Sequence, residues 1–381
     1  MLMLINKLVI FPLSTPFNWT ADYIRQTALI LNKRNKIIFY DQAGSQFFLR
    51  KGHKRDFPRI KNILFYQPKY YIPFRRFALI ENLNRRLSFY LFIHQHRKED
   101  KILWIFDPEY YDFAHLKPKK LISIYDCVDY HSSLDRAKRV LIRKKEKQLI
   151  ENVNIFTVNS NILYFLNKKN KNKMVNLKAQ GFFIPERKVI TKMKLAKRGP
   201  TVGLVGGINY RLDFKLLLKL IKDNPKWNFV LCGPVQEYPY EDKIFQTAKH
   251  LNNIRMFRNV AISIAHNREE VFNIINSFDV AIIPYNTNID FNRYCYPMKI
   301  FEYFYMGKPV VSTPILELTQ EAFGNFVKIG KNAAEWQGHI KDLLKEPWPT
   351  SYAREQRKMA ITNSWEKKVA VISKVILKSS I

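Results

Sequence analysis

The sequence predicts an α/β protein built from two parallel-sheet domains, and three observations carry that prediction. Short apolar runs alternate with helix-length amphipathic segments, the pattern of parallel strands joined by crossover helices. The 381 residues are enough for two domains with substantial cores. Between the halves, Arg187–Pro200 holds six Lys or Arg, no acid and a closing Gly199-Pro200, which reads as an interdomain linker.

The elements follow in order. Leu8–Phe11 is a strand, residues 12–18 a loop, and Thr20 an N-cap for a helix reaching Asn32, with Tyr23, Thr27, Ile30 and Leu31 near one face. Lys36–Tyr40 and Lys101–Phe106 are strands, the second ending at Asp107-Pro108. Leu121–Tyr125 is a strand followed by an Asp126–Asp129 loop. A charged helix over Leu134–Glu151 leads into strand Asn154–Val158, after which Ser160 caps the next helix. The second half opens with strand Thr201–Val205 and the turn Gly206-Gly207. Asn228–Leu231 is a strand ending at Gly233-Pro234, Ile254–Phe257 and Val260–Ile264 are shorter strand candidates, and Asp279–Pro284 is an apolar strand. A short helix over residues 297–306 buries the pairs Ile300/Phe304 and Phe301/Tyr305, stops at Gly307 and gives way to a strand at Pro309-Val310-Val311. The last segment, Ser364–Leu377, is an amphipathic helix with Trp365, Val369, Ile372 and Val375 on its apolar side.

Composition narrows the function classes. Apolar content of 47% and aromatic content of 14% belong to a folded chain. Cys127, Cys232 and Cys295 are scattered, which suits reduced thiols in a cytosolic protein. No apolar run approaches the ~18–20 residues that span a bilayer, and the opening MLMLINKLVIFPL reads as a first strand rather than a signal peptide. The net charge of +32 is lopsided: residues 1–200 hold 40 Lys and Arg against 15 Asp and Glu. The densest zone, Arg50–Lys98, interleaves bases with aromatics. An anionic membrane surface fits that zone, with rings at the interface. Nucleic acid fits it through stacking, and a merely solvated basic face fits it too.

Residues 297–313, PMKIFEYFYMGKPVVST, carry the most chemistry. Lys299 and Glu302 are spaced i,i+3 and share a helix face. That suits a nucleoside diphosphate, with the ammonium on phosphate and the carboxylate on ribose hydroxyls, and equally a solvated ion pair on a surface helix. Ligands of doubly wound sheets bind at strand carboxyl ends, which singles out three further places. Gly206-Gly207 permits close approach of a diphosphate, or is only a tight turn. Arg211 offers a planar fork for phosphate, or is a surface arginine beside Asp213. Asp126 and Asp129 follow a strand, where one of them is a candidate general base and Asp129 is favoured; both also suit local capping. His131 is an alternative base, with Asp107 and Asp22 further outside. Asn18 and Trp19 in the first strand–helix loop suit sugar or acceptor contact, or packing beneath the loop. The Gly233-Pro234-Val235 loop is a weaker lining candidate. Metal-ligand spacings are absent, and Asp126-Cys127-Val128-Asp129 is D-x-x-D rather than D-x-D.

These segments resemble the donor-binding half of GT-B glycosyltransferases of the family-4, or group 1, type. The resemblance rests on residues 297–313, on Thr201–Pro234 and on NIINSFDVAIIPYN, Asn273–Asn286, with weaker likeness at Leu121–Ser133 and Asn154–Leu163. It implies a GT-B fold: an acceptor-binding Rossmann-like domain over residues 1–190, a linker over 191–200, a donor-binding domain over 201–361, and a terminal helix, 362–381, crossing back to the first domain. It also implies a nucleotide-sugar donor, UDP being the expected carrier, with no cofactor and no obligatory metal. The catalytic candidates are Asp129 and Asp126; the donor site is Gly206, Gly207, Arg211, Lys299 and Glu302; the acceptor site is Asn18 and Trp19. One departure stands out. That family usually carries a second glutamate with seven residues between it and the one matched by Glu302, and here Tyr294 occupies the position. The outcome at the anomeric carbon is thus open between retention and inversion with an N-domain base.

The whole-chain expectation is a cytoplasmic transferase at the inner face of the plasma membrane. It would deliver sugar to a lipid-linked or glycan acceptor in envelope or polysaccharide synthesis, with no nucleic acid as partner. The alternatives are a nucleic-acid-binding protein on a Rossmann-like scaffold, which charge alone favours, and a GT-B nucleotide-sugar epimerase.

Overall fold

Apolar runs such as LVIFPL and VAII have no polar alternation, which marks strands covered on both faces. The computed structural model describes residues 3–13, 22–41, 60–69, 71–73, 77–171, 173–185 and 199–379. One sheet contains β1 (Leu8–Leu13), β2 (Lys36–Asp41), β3 (Ile63–Tyr66), β4 (Lys101–Ile105), β5 (Leu121–Cys127), β6 (Ile155–Val158) and β7 (Met174–Asn176), in the order β3-β2-β1-β4-β5-β6-β7. The other contains β8 (Thr201–Val205), β9 (Asn228–Cys232), β10 (Val260–Ser263), β11 (Val280–Ile283), β12 (Val310–Ser312) and β13 (Val327–Ile329), in the order β10-β9-β8-β11-β12-β13. Every ladder in both is parallel. Both sheets therefore follow the doubly wound order, reversing beside their first strand, and the switch point of the second lies between β8 and β11. The fold class is the one expected, two Rossmann-like units of the GT-B class.

The chain divides into Met1–Gly181 with Trp365–Ile381, and Phe182–Ser364. The helix Trp365–Lys378 thus returns to the first unit, where it packs beside the helix Asp22–Leu31. Its apolar side is as read from the sequence, with Trp365, Val369 and Ile372 buried; each such side chain contributes about 1.5–3 kcal/mol. The proposed linker lies almost wholly outside the described residues; Gly199 and Pro200 lead into β8.

Four local readings change. Ile254 ends the helix Thr247–Arg255 instead of starting a strand, because Leu251 and Ile254 are buried three apart on one helix face. Asp126 lies inside β5, not in the loop after it. Within the zone read as bases among aromatics, β3 and the helix Ala78–Gln95 were not anticipated; Phe89, Phe92 and Ile93 form its buried stripe, and Arg85 is buried beside them, paired with Asp112 at 2.8 Å. The short edge strand β7 was also unforeseen. Among the described residues no helix is long and apolar enough to cross a membrane.

Candidate active site

The second unit builds a cluster at its switch point. The loop after β8 and the loop after β11 are joined by backbone bonds, Asp213 N–H donating to Pro284 O at 2.8 Å and Asn286 N–H to Arg211 O at 2.8 Å. Asn292 tightens the junction: its side-chain amide donates to the carbonyls of Arg211 and Asn286, and its Oδ1 accepts from Arg211 Nε at 2.7 Å. The Arg211 guanidinium is held between the rings of Tyr285 and Phe291, 4.5 Å from each centroid. Such stacking and a bidentate-capable fork fix the arginine's orientation before any ligand arrives.

Lys299 opens the helix Lys299–Tyr305 and is 9% exposed. Its ammonium also lies against the Tyr285 ring, 4.9 Å from the centroid. It forms no hydrogen bond or ion pair with any described residue. Gly206, at φ +114°, makes the approach possible: a Cβ there would stand 2.9 Å from Lys299 Nζ. Gly206, Arg211 and Lys299 are therefore gathered around Tyr285, giving two cations and a bare backbone at strand carboxyl ends. Gly207 turns elsewhere, towards the Asn209–Gln236 side-chain pair.

Tyr303 fixes the helix that carries Lys299. Its hydroxyl accepts from Val205 N–H at 3.0 Å and donates to Ile282 O at 3.2 Å, bridging β8 and β11 from one turn along. Burial pushes this phenol well above its ordinary pKa, so the donor proton stays in place. Gly307, at φ +64°, ends the helix in the left-handed conformation expected of it. Glu302 lies one turn from Lys299 but does not pair with it. Its Oε1 accepts from Arg268 at 2.8 Å, and Arg268 opens the helix Arg268–Asn276 after β10.

In the first unit, Asp126 corrects the sequence reading. It is fully buried, accepts from Thr157 Oγ1 at 3.1 Å and Trp104 Nε1 at 3.4 Å, and forms an ion pair with Lys368 Nζ at 3.5 Å. Burial lowers the Lys368 pKa and the Asp126 charge opposes that. A carboxylate enclosed on all sides and neutralised in this way has a structural role; an acceptor hydroxyl has no path to it. Asp129, two residues beyond β5, is half-buried. It faces the same ground as Tyr23, whose phenol is raised by burial first and then by the charges of Asp129, Asp107 and Asp126. Asp107 is occupied as a cap, accepting from Glu109 N–H at 2.9 Å. His131 buries an Nε2 without a hydrogen-bond partner. Asn18 and Trp19 lie outside the described residues, as does the side chain of Asp22.

The sequence reading missed Tyr285, Asn292, Tyr303 and Arg268. Tyr285 follows β11 at its carboxyl end, so the rule that selected Gly206 also reaches it. Arg268 had no local cue, because its partner lies 34 positions away.

Comparison with known proteins places this cluster. Residues 199–346 match the family described as Glycosyl transferases group 1. A protein of Bacillus subtilis named as a putative teichuronic acid biosynthesis glycosyltransferase, TuaH, is 24% identical over 267 residues, 64% of this chain. The match spans 63% of that relative's length. Among solved structures, a sucrose-phosphate synthase from Thermosynechococcus elongatus aligns over 98% of both chains with TM-score 0.68 at 15% identity. HepE of Anabaena, solved in complex with UDP-glucose, aligns over 98% of this chain and 99% of its own with TM-score 0.66 at 11% identity. At such identities the structural likeness speaks for the fold. The Lys299 helix and the Gly206 turn both fall inside the matched family region.

Proposed function

We propose that the chain is a glycosyltransferase that moves a sugar from a nucleoside-diphosphate donor, with UDP the expected carrier, to a cell-envelope or polysaccharide acceptor. One observation carries this reading: Lys299, a largely buried residue whose ammonium has no ion pair or hydrogen bond among the described residues, stands beside a backbone that lacks a Cβ. The ammonium has no counter-charge among the described residues, and the α- and β-phosphates of a bound nucleotide supply one. The acceptor hydroxyl oxygen attacks the anomeric carbon, and the bond from that carbon to the β-phosphate oxygen breaks. The electron pair leaves with the diphosphate, whose growing charge Lys299 and Arg211 meet. Asp129 of the first unit is the proposed proton acceptor, since Asp126 is engaged with Lys368. Glu302, held by Arg268, is the proposed ligand of the ribose hydroxyls. The complex of HepE with UDP-glucose and the teichuronic acid assignment of the B. subtilis relative support the donor and acceptor classes.

Exposed side chains support an anionic membrane surface as the place of work. Leu79 and Leu83 start one basic helix; Val140 and Leu141 lie exposed among Arg136, Lys138, Arg143 and Lys144 on the helix Arg136–Asn152. Phe165 carries the Lys168 ammonium over its ring at 4.7 Å. Apolar tips among cations, all in the first unit, suit the headgroup layer.

The test is a thermal-shift panel with UDP, GDP, ADP and dTDP on the wild type and on Lys299→Ala. UDP is expected to raise the melting temperature of the wild type alone. An equal shift in the variant refutes the assignment of Lys299. Pelleting with anionic vesicles is expected at low salt and lost as salt rises.

A further inference from the structure

The amino-terminal edge of the first sheet, opposite in chain direction to the candidate catalytic edge, contains a depression of about 640 Å³. It is lined by the residues that lead into β1, β2, β4 and β5. Five of its side chains are cations and two are carboxylates. The carboxylates are already used: Asp100 pairs with Lys7 at 2.8 Å, and Glu99 lies 2.6 Å from His96 and 3.9 Å from Lys36. Arg34, Lys98 and Lys120 are exposed and form no ion pair with any described residue. The floor is firm. Asn35 is buried and bonds Leu4 O and Leu31 O at 2.9 Å each, and the buried Lys101 spends its ammonium on the carbonyls of His96 and Glu99.

Two further features separate this place from an ordinary solvated edge. Five non-glycine residues have positive φ among those described, and three of them, Asn6, Asn62 and Lys120, line this depression. A left-handed lysine costs about 1–2 kcal/mol, so the chain holds Lys120 here against its local preference. The lining also has no aromatic ring and only Leu8 as an apolar residue. A nucleobase or sugar would find no stacking surface, and an acyl chain nothing to bury against. Fixed cations without a ring suit a compact ligand carrying several negative charges, and the Arg34 fork suits phosphate oxygens.

We propose that this depression is a second anion site, which binds a phosphoryl group bearing two or more charges through Arg34, Lys98 and Lys120. It is separate from the Lys299 site and independent of the transferase reading. The phosphoryl group comes either free in solution or on a lipid headgroup.

The experiment uses tripolyphosphate as probe, by calorimetry on the full chain, with the triple variant Arg34→Ser, Lys98→Ser, Lys120→Asn beside Lys299→Ala. All three replaced side chains are exposed, and asparagine tolerates the left-handed backbone at position 120. The wild type and Lys299→Ala are expected to bind the probe with a Kd below about 1 mM at about 0.15 M salt. The triple variant is expected to lose at least about tenfold in affinity while keeping its thermal response to UDP. Equal binding by wild type and triple variant overturns the site, as does a wild-type Kd above that threshold. Loss of the UDP response in Lys299→Ala alone leaves this site standing; no UDP response in any form sinks the donor reading and not this one. Vesicles containing phosphatidic acid distinguish the sources: a triple variant that stops pelleting puts the phosphoryl group on lipid, and unchanged pelleting puts it in solution.

Discussion

Each unit buries a lysine next to an aromatic ring, and the two are resolved in opposite ways. Lys368 of the first unit lies 5.4 Å from the Trp365 ring and pairs with Asp126 at 3.5 Å. Lys299 of the second unit lies 4.9 Å from the Tyr285 ring and meets no carboxylate. A third buried lysine, Lys101, ends on two backbone carbonyls. The difference teaches how to separate structural from functional charge. A buried ammonium whose counter-charge is built in fixes an element, here the returning terminal helix. One left without a counter-charge is the one we propose for an anion that the chain does not supply.

That comparison can be broken most sharply by removing each charge in turn. Lys368→Met leaves Asp126 buried and unpaired, and a loss of about 3–5 kcal/mol in unfolding free energy is expected in urea titration. Adding Asp126→Leu should restore most of it; a double variant as unstable as the single one would show that the pair does not act as a unit. Lys299→Met should move stability the other way, raising the melting temperature of ligand-free protein, while kcat/KM falls by about 10²–10³-fold. A destabilised Lys299→Met would place this lysine with Lys368 as a structural charge.

Smaller effects refine the picture. Tyr303→Phe deletes the hydroxyl that joins β8 to β11 and leaves Val205 N–H and Ile282 O unmet, at a cost of about 1–3 kcal/mol. The donor KM should rise with it if the helix start is what aims Lys299. Arg268→Ala should cost about tenfold in donor KM and reduce the preference for UDP over its 2′-deoxy form, with kcat unchanged. A preference unaffected by this change removes Glu302 from the ribose.

The two units also differed in how well their sequence could be read. In the second, Thr201–Val205 was placed to the residue and the helix ending at Gly307 followed from spacing and a glycine, while the edge strand β13, VKI, was missed because its middle residue is charged. The first hid β3 and the helix Ala78–Gln95 under surface charge, since Lys and Arg on the outer face obscure a buried stripe of Phe89, Phe92 and Ile93. Asp126 illustrates the limit most clearly. As a carboxylate after an apolar run it resembles a general base, and only the arrival of Lys368, 242 positions later, gives it another purpose.

By itself the sequence determined the alternation of strand and helix, the parallel class of the sheets, the amphipathic terminal helix, and Lys299 and Glu302 on one short helix. These are consequences of periodicity and spacing, which act within a few residues. Tertiary structure alone decided which charges meet: Arg211 and Lys299 both at the Tyr285 ring, Glu302 with Arg268 rather than with its helix neighbour, Asp126 with Lys368. Coulomb attraction and burial depend on distance through space, and folding brings together partners that no local pattern links.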